Sequence, residues 1–289
     1  MPPENAANMF RVLETDQVID SFTRTMLGSS INARVLSFRC REAQEQSLPN
    51  QDYATVSYCK DGSSLIFCIC DGVGSSYKGD FAACCLASYL VKWLQALPAR
   101  QERPTRLDAA LQEQLDRLAP VAQGQLIKLE MPDDTPALVR EVLEDLCRDY
   151  GSEAVFLCGR LDYEMSVDGR PGQLSDALFC WMGNVTARLF LDSQQSISLG
   201  EKTDKNGRWS TRRGCRGELH TWSRSLPALE RLVIHTDGLD EIGTSLATLD
   251  DDALLAEIQH LLTLPKSDDM TLLDLYWQDD VYEAEVNWR

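Results

Sequence analysis

Apolar residues recur at near-helical spacing through residues 5–30, at Met9, Leu13, Val18, Phe22 and Met26, and stop at Gly28-Ser29-Ser30. This pattern predicts a helical N-terminal arm over residues 1–32. From Ala33 onward the period changes. Residues 54–59 and 65–70 are short runs rich in β-branched, aromatic and small apolar side chains, separated by Lys60-Asp61-Gly62-Ser63. They read as a β-hairpin with an Asp-Gly turn. Residues 80–97 then carry Ala83, Leu86, Leu90, Leu94 and Leu97 at three- and four-residue steps before Pro98, which predicts an amphipathic helix. Two more helical stretches follow at 105–118 and 136–150, joined by polar, Pro-containing connections at 99–104 and 123–136. Strands return at 154–161 and 177–191 around a polar loop at 166–173, and again at Arg231–His235; residues 249–264 are helical by spacing, and Met270–Trp277 is a closing strand. Hairpin spacing rather than crossover spacing predicts an α+β domain over residues 33–289, with antiparallel sheets and helices packed outside.

Composition narrows the function. The 289 residues hold 28 Lys plus Arg against 45 Asp plus Glu, a formal charge of −17. Phosphate-backbone binding needs a basic stripe, so nucleic acid is not an expected partner; a cation or a cationic protein surface suits this chain better. The local exception is the basic stretch 202–216, with Lys202, Lys205, Arg208, Arg212, Arg213 and Arg216. The longest apolar runs fall short of the roughly 20 residues a membrane span requires. No basic start followed by an apolar block marks an export signal, so a cytoplasmic location is expected. Ten cysteines are present without Cys-x-x-Cys spacing and several lie inside apolar runs, which predicts packed thiols rather than a zinc knuckle or disulfides. No Cys-x5-Arg loop and no Gly-x4-Gly-Lys-Ser/Thr loop occurs, which removes thiol-phosphatase and nucleotide-binding readings that depend on them.

The acidic residues carry the chemical signal. Asp61-Gly62 and Asp168-Gly169 sit between polar neighbours and read as turns. Asp71-Gly72 and Asp237-Gly238 instead end apolar strands and are not followed by a returning strand. Ser267-Asp268-Asp269 immediately precedes the last strand, and Asn50-Gln51-Asp52 precedes the hairpin. Carboxylates at several strand mouths suit hard cations such as Mg²⁺ or Mn²⁺, which take oxygen ligands and retain water. Asp250-Asp251-Asp252 reads as a helix start.

The order Asn50-Gln51-Asp52, Asp71-Gly72-Val73-Gly74, Gly151-Ser152-Glu153-Ala154, Gly183-Asn184, Thr236-Asp237-Gly238 and Ser267-Asp268-Asp269-Met270-Thr271 resembles the protein phosphatase 2C type (PPM) of metal-dependent serine/threonine phosphatases, in its bacterial branch. The resemblance runs from about residue 33 to 277. It implies two antiparallel β-sheets in a sandwich flanked by helix pairs, with two Mn²⁺ or Mg²⁺ ions in a cleft at one end and a metal-bridging water attacking phosphorus. On this basis Asp71 bridges both ions, Gly72 offers its carbonyl, Asp237 and Asp268 are ligands, and Asp52 acts through water or from behind the ligands. Asp71 and Asp237 are the residues on which catalysis depends.

This chain departs from the family pattern at several of these positions. Gln51 stands where many relatives have Glu, Asn184 where many have Asp, and Asp269 where Asn is usual. The family's phosphate-clamping Arg lies three residues before the Asn, and here that position is Ser47; Arg39 or Arg41 is the substitute on offer. The implied function is dephosphorylation of phosphoserine and phosphothreonine in proteins, reversing a Ser/Thr kinase. The departures keep a second reading open, a weak or inactive relative that binds a kinase or phosphoprotein.

Overall fold

The computed structural model describes residues 9–28, 31–98, 100–131, 135–165, 171–191, 195–201, 206–226 and 229–277. Its strands are β1 (Phe10–Glu14), β2 (Ser21–Leu27), β3 (Ile31–Phe38), β4 (Tyr53–Cys59), β5 (Ser64–Gly72), β6 (Glu153–Met165), β7 (Pro171–Met182), β8 (Thr186–Phe190), β9 (Ser196–Leu199), β10 (Arg208–Ser210), β11 (Gly214–Arg216), β12 (His220–Arg224), β13 (Arg231–His235) and β14 (Met270–Trp277). The helices are α1 (Arg41–Gln46), α2 (Gly79–Ala96), α3 (Leu107–Leu126), α4 (Ala137–Asp149) and α5 (Asp251–Leu262).

Two antiparallel sheets stack face to face. One has the order β1-β4-β5-β6, after which the long β6 pairs with both β7 and β10, extended by β12 and β11; the other runs β2-β3-β14-β13-β8-β9. The apolar runs are nearly continuous because both faces of the central strands are covered. In β5, Leu65, Phe67 and Ile69 point into the inter-sheet core with Leu273 and Leu275 of β14, whereas Ile66, Cys68 and Cys70 point out under α2 and α3. The outer face of the second sheet packs Val233 and Leu272 against Leu254 and Ile258 of α5 and Leu239 of a 3-10 helix at Asp237–Ile242. Cys68, Cys70, Cys158 and Cys180 are fully buried and unbridged; burial holds the first three thiols above their ordinary range, and the hydrogen bond with Cys158, then burial, does so for Cys180, so all four serve packing.

The structure corrects the N-terminal reading. Residues of the expected helical arm form β1, paired with β4, and β2, paired with β3, so one strand joins each sheet. The helical period of Met9, Leu13, Val18, Phe22 and Met26 was outweighed by two open sheet edges that accept the segment's backbone groups. A second correction concerns α3, which continues through Pro120 to Leu126 rather than ending near 118. Its buried stripe Leu111, Leu115, Ala119, Ala122, Leu126 continues past the proline, and burial of that face outweighs the lost hydrogen bond. Helix α4 forms as expected but buries none of its residues. Asp250 caps α5 by accepting from the Ala253 amide at 2.8 Å, as the sequence suggests. The Asp168-Gly169 turn, Lys202 and Lys205 lie outside the described residues. No described helix is long and apolar enough to cross a membrane.

Candidate functional site

The carboxylates of the strand mouths meet because of antiparallel pairing. Strand β13 ends where its neighbour β14 begins, so Asp237 and the Asp268-Asp269 pair share one edge; the Thr236 amide donates to the Thr271 carbonyl at 3.1 Å. Strand β5 of the facing sheet brings Asp71 to the same end. These residues line a cleft of about 560 Å³ together with Gln51, Gly72, Asn184 and Arg208.

Both Asp-Gly pairs are explained by close approach. A Cβ at Gly72 would lie 2.5 Å from the Gly79 backbone and 2.7 Å from the Gln51 carbonyl; one at Gly238 would lie 2.1 Å from the Asp269 carbonyl. Neither glycine has positive φ. Each is needed because a second chain segment touches it, and that contact draws the acidic loops together.

The predicted ligands fall into two groups. Asp71, Gly72, Asp237 and Asp268 line the cleft. The Asp71 carboxyl is held well above the ordinary carboxylate range, first by burial and then by repulsion from Asp52, Asp237, Asp268 and Asp269. Asp237 accepts from Asn184 Nδ2 at 2.6 Å, so the Asn at this position donates to an acid instead of adding another charge. Asp52 lies behind the cleft wall. It is 1% exposed and accepts from the Thr236 hydroxyl at 2.7 Å, which ties it to the residue before Asp237. Burial, then Asp269, raises its pKa well above the usual value.

Asp269 has both oxygens occupied, accepting from the Cys40 amide and the Gln51 amide, each at 2.6 Å. It brackets the start of α1 and the Asn50-Gln51-Asp52 loop onto β14. Burial raises its pKa, and the two amides oppose that rise. A residue of the N-terminal segment completes the frame: Gln17 Nε2 donates to the Asn50, Asp52 and Asp80 carbonyls at 2.9, 3.3 and 3.1 Å. No motif marks Gln17 in the sequence, because its three partners are remote in the chain.

The two arginines expected to bind phosphate do not line the cleft. Arg39 clasps Asp20 through Nε and Nη2, at 2.9 and 3.2 Å, and Arg41 is an exposed partner of Glu45 at 2.8 Å. Arg208 lines it instead. The basic stretch that contributes Arg208 is, from that residue to Arg216, a hairpin of the first sheet anchored by fully buried Trp209, whose Nε1 donates to the Leu115 carbonyl at 3.0 Å. The signal for this was the lone Trp in a polar run.

Among the described residues no three His, Cys, Asp or Glu side chains close into a cage for a metal ion. The acidic donors lining the cleft offer oxygen, and such a set fits a hard divalent cation that keeps several waters rather than a soft ion enclosed by protein.

Residues 39–156 match the family model of protein phosphatase 2C. That segment contains Asp52, Asp71 and Gly72 and ends before Asp237 and Asp268. No curated protein matches the chain. Among solved structures the fold is similar to that of serine/threonine phosphatase Stp1 from Staphylococcus aureus, with 14% identity, a TM-score of 0.51, and coverage of 89% of this chain and 99% of that one. It is likewise similar to a bacterial serine phosphatase, with 12% identity, a TM-score of 0.51, and coverage of 86% and 99%. The resemblance read from the motif order thus meets two findings: residues 39–156 match the protein phosphatase 2C model, and the fold is similar to that of bacterial serine and serine/threonine phosphatases.

Proposed function

We propose that this chain is a metal-dependent phosphatase acting on phosphoserine and phosphothreonine in proteins, opposing a Ser/Thr kinase. The observation that carries the reading is a set of acids brought to one cleft from remote strand ends, with the Asp71 carboxyl raised first by burial and then by repulsion from its acidic neighbours. Such a cluster is costly to ionise without an external cation. Asp71, Asp237 and Asp268, with the Gly72 carbonyl, would hold two Mn²⁺ or Mg²⁺ ions. Bound there, such ions supply Lewis-acid polarisation of a phosphoryl group and an activated water for its hydrolysis.

The chain's own residues do the positioning. Asn184 fixes the Asp237 carboxylate through its 2.6 Å hydrogen bond, and Asp52 orients Thr236 and hence the turn that carries Asp237. Asp269 and Gln17 keep the Gln51 loop against both sheets, so that Gly72 stays in register with the cleft. A bound phosphoprotein is the partner this reading requires.

The test is turnover of an aryl phosphate and a phosphothreonine peptide with Mn²⁺, with Mg²⁺ and with chelator, alongside Asp71→Asn and Asp237→Asn. Metal-dependent turnover lost in both variants is the expected result. A folded protein that binds the phosphopeptide without turnover under any metal overturns the enzyme reading. That outcome favours the binding-module alternative, which Gln51 and Asn184 motivate.

A further inference from the structure

We infer that Arg208 is the phosphate-binding residue of the cleft and that Glu153 is the positioning residue that holds it there; this deepens the phosphatase reading by assigning recognition of the phosphoryl group. Among the described residues Arg208 is the one basic side chain lining the cleft. A guanidinium is suited to this because its planar fork can donate two parallel hydrogen bonds to a phosphate.

The side chain is held without being saturated. Its Nη1 donates to Glu153 Oε2 at 3.3 Å and its Nε to the Asn206 carbonyl at 3.3 Å, both long contacts, which leaves donors of the fork for a ligand. Glu153 is the unusual partner. It is 3% exposed, its Oε1 makes no hydrogen bond, and Arg216 reaches that oxygen only as an ion pair at 3.6 Å. A buried carboxylate with spare acceptor capacity exerts a steady pull on the guanidinium. Asp71, Asp237 and Asp268 line the same cleft and would otherwise draw Arg208 onto themselves and neutralise the position a divalent cation needs. Glu153 therefore competes with those acids for the guanidinium and leaves it lining the space a phosphate monoester would enter.

The backbone supports this placement. Strand β10 pairs with β6 at Trp209↔Ala154 and Ser210↔Glu153, so Arg208 and Glu153 come from adjacent strands of one sheet. Burial of Trp209 fixes the strand against α3, and the Ser210 hydroxyl donates to the Tyr150 carbonyl at 2.7 Å.

The experiment measures binding of inorganic phosphate by calorimetry in Mn²⁺, together with KM and kcat for an aryl phosphate, in the wild type, Arg208→Ala, Arg208→Lys, Arg39→Ala and Arg41→Ala, each checked for folding by thermal unfolding. Arg208→Ala is expected to weaken phosphate binding and raise KM by about 10- to 100-fold, with kcat changed by no more than a few fold; Arg208→Lys recovers part of the loss. Arg39→Ala and Arg41→Ala leave both quantities near wild type. Glu153→Gln is expected to raise the Mn²⁺ concentration for half-maximal binding several fold, and Glu153→Gln with Arg208→Ala to restore it, a reversal that a merely structural role for Glu153 would not produce. Phosphate binding lost in Arg208→Ala but with no turnover in the wild type sustains this inference while the enzyme reading fails. Wild-type turnover with phosphate binding and KM unmoved by Arg208→Ala overturns the inference and leaves the enzyme reading standing, as does a loss that follows Arg39 or Arg41 instead.

Discussion

Two clusters of buried acid on this fold are managed in opposite ways. Asp274, fully buried on β14, receives the Nε of Arg34 at 2.7 Å and a two-pronged clasp from Arg231, Nε and Nη2 each at 2.7 Å. Arg34 in turn donates to the Leu246 and Leu249 carbonyls, which ties the second sheet to the loop ahead of α5. At the cleft, Asp52, just ahead of β4, is almost as deeply buried, but its hydrogen bond comes from a neutral hydroxyl, and Asp71 faces other acids. The first cluster is complete within the chain. On the proposed reading the second is completed by a cation from outside, and this difference would separate a structural ion network from a site.

The contrast predicts different kinds of damage. Asp71→Asn should cost about a thousand-fold or more in turnover, about 4 kcal/mol of transition-state stabilisation. The same variant should leave the metal-free protein at least as stable as wild type, read by urea unfolding in chelator, because it removes a repelled charge. Asp274→Ala should do the reverse, costing about 3–5 kcal/mol of stability by stranding two guanidinium groups, while turnover per folded molecule holds.

Added Mn²⁺ at about a hundred times its Kd should stabilise the wild type by about 2.7 kcal/mol and Asp71→Asn by much less; equal stabilisation of both would show that the cation binds elsewhere. A finer test uses pH. The Asp71 carboxyl is raised above its ordinary 3.8 in the folded chain, so in chelator its contribution is fully present below that value and is lost as pH rises through the folded value. Wild-type stability measured relative to Asp71→Asn should therefore fall as pH rises above about 4. The smallest effect belongs to Arg41→Ala, within about 0.5 kcal/mol by the same unfolding measurement, because its pair with Glu45 is solvent-exposed.

Much of this is legible in the amino-acid sequence. The strands around Asp71, Asp237 and Asp268 end in apolar-to-acidic transitions that sequence spacing exposes directly, and the hairpin of β4 and β5 and helix α2 follow from local periodicity. The N-terminal segment is not legible in this way, because an amphipathic spacing compatible with a helix cannot report that two sheet edges await pairing. The arginines misled for a similar reason. Arg39 and Arg41 are near the site in sequence, but Asp20 and Glu45 engage them, whereas Arg208 is brought from a distant hairpin by the burial of Trp209.

What the sequence determined by itself is the chemistry at each strand end and the antiparallel α+β class, because side-chain type and short-range periodicity are local properties. Tertiary structure alone decided which acids face one another, which are bracketed by amides as Asp269 is, and which cation lines their cleft. Those outcomes depend on burial and on contacts between residues far apart in the chain, such as Gly238 against Asp269 and Gln17 against Asp80, and local pattern carries no record of them.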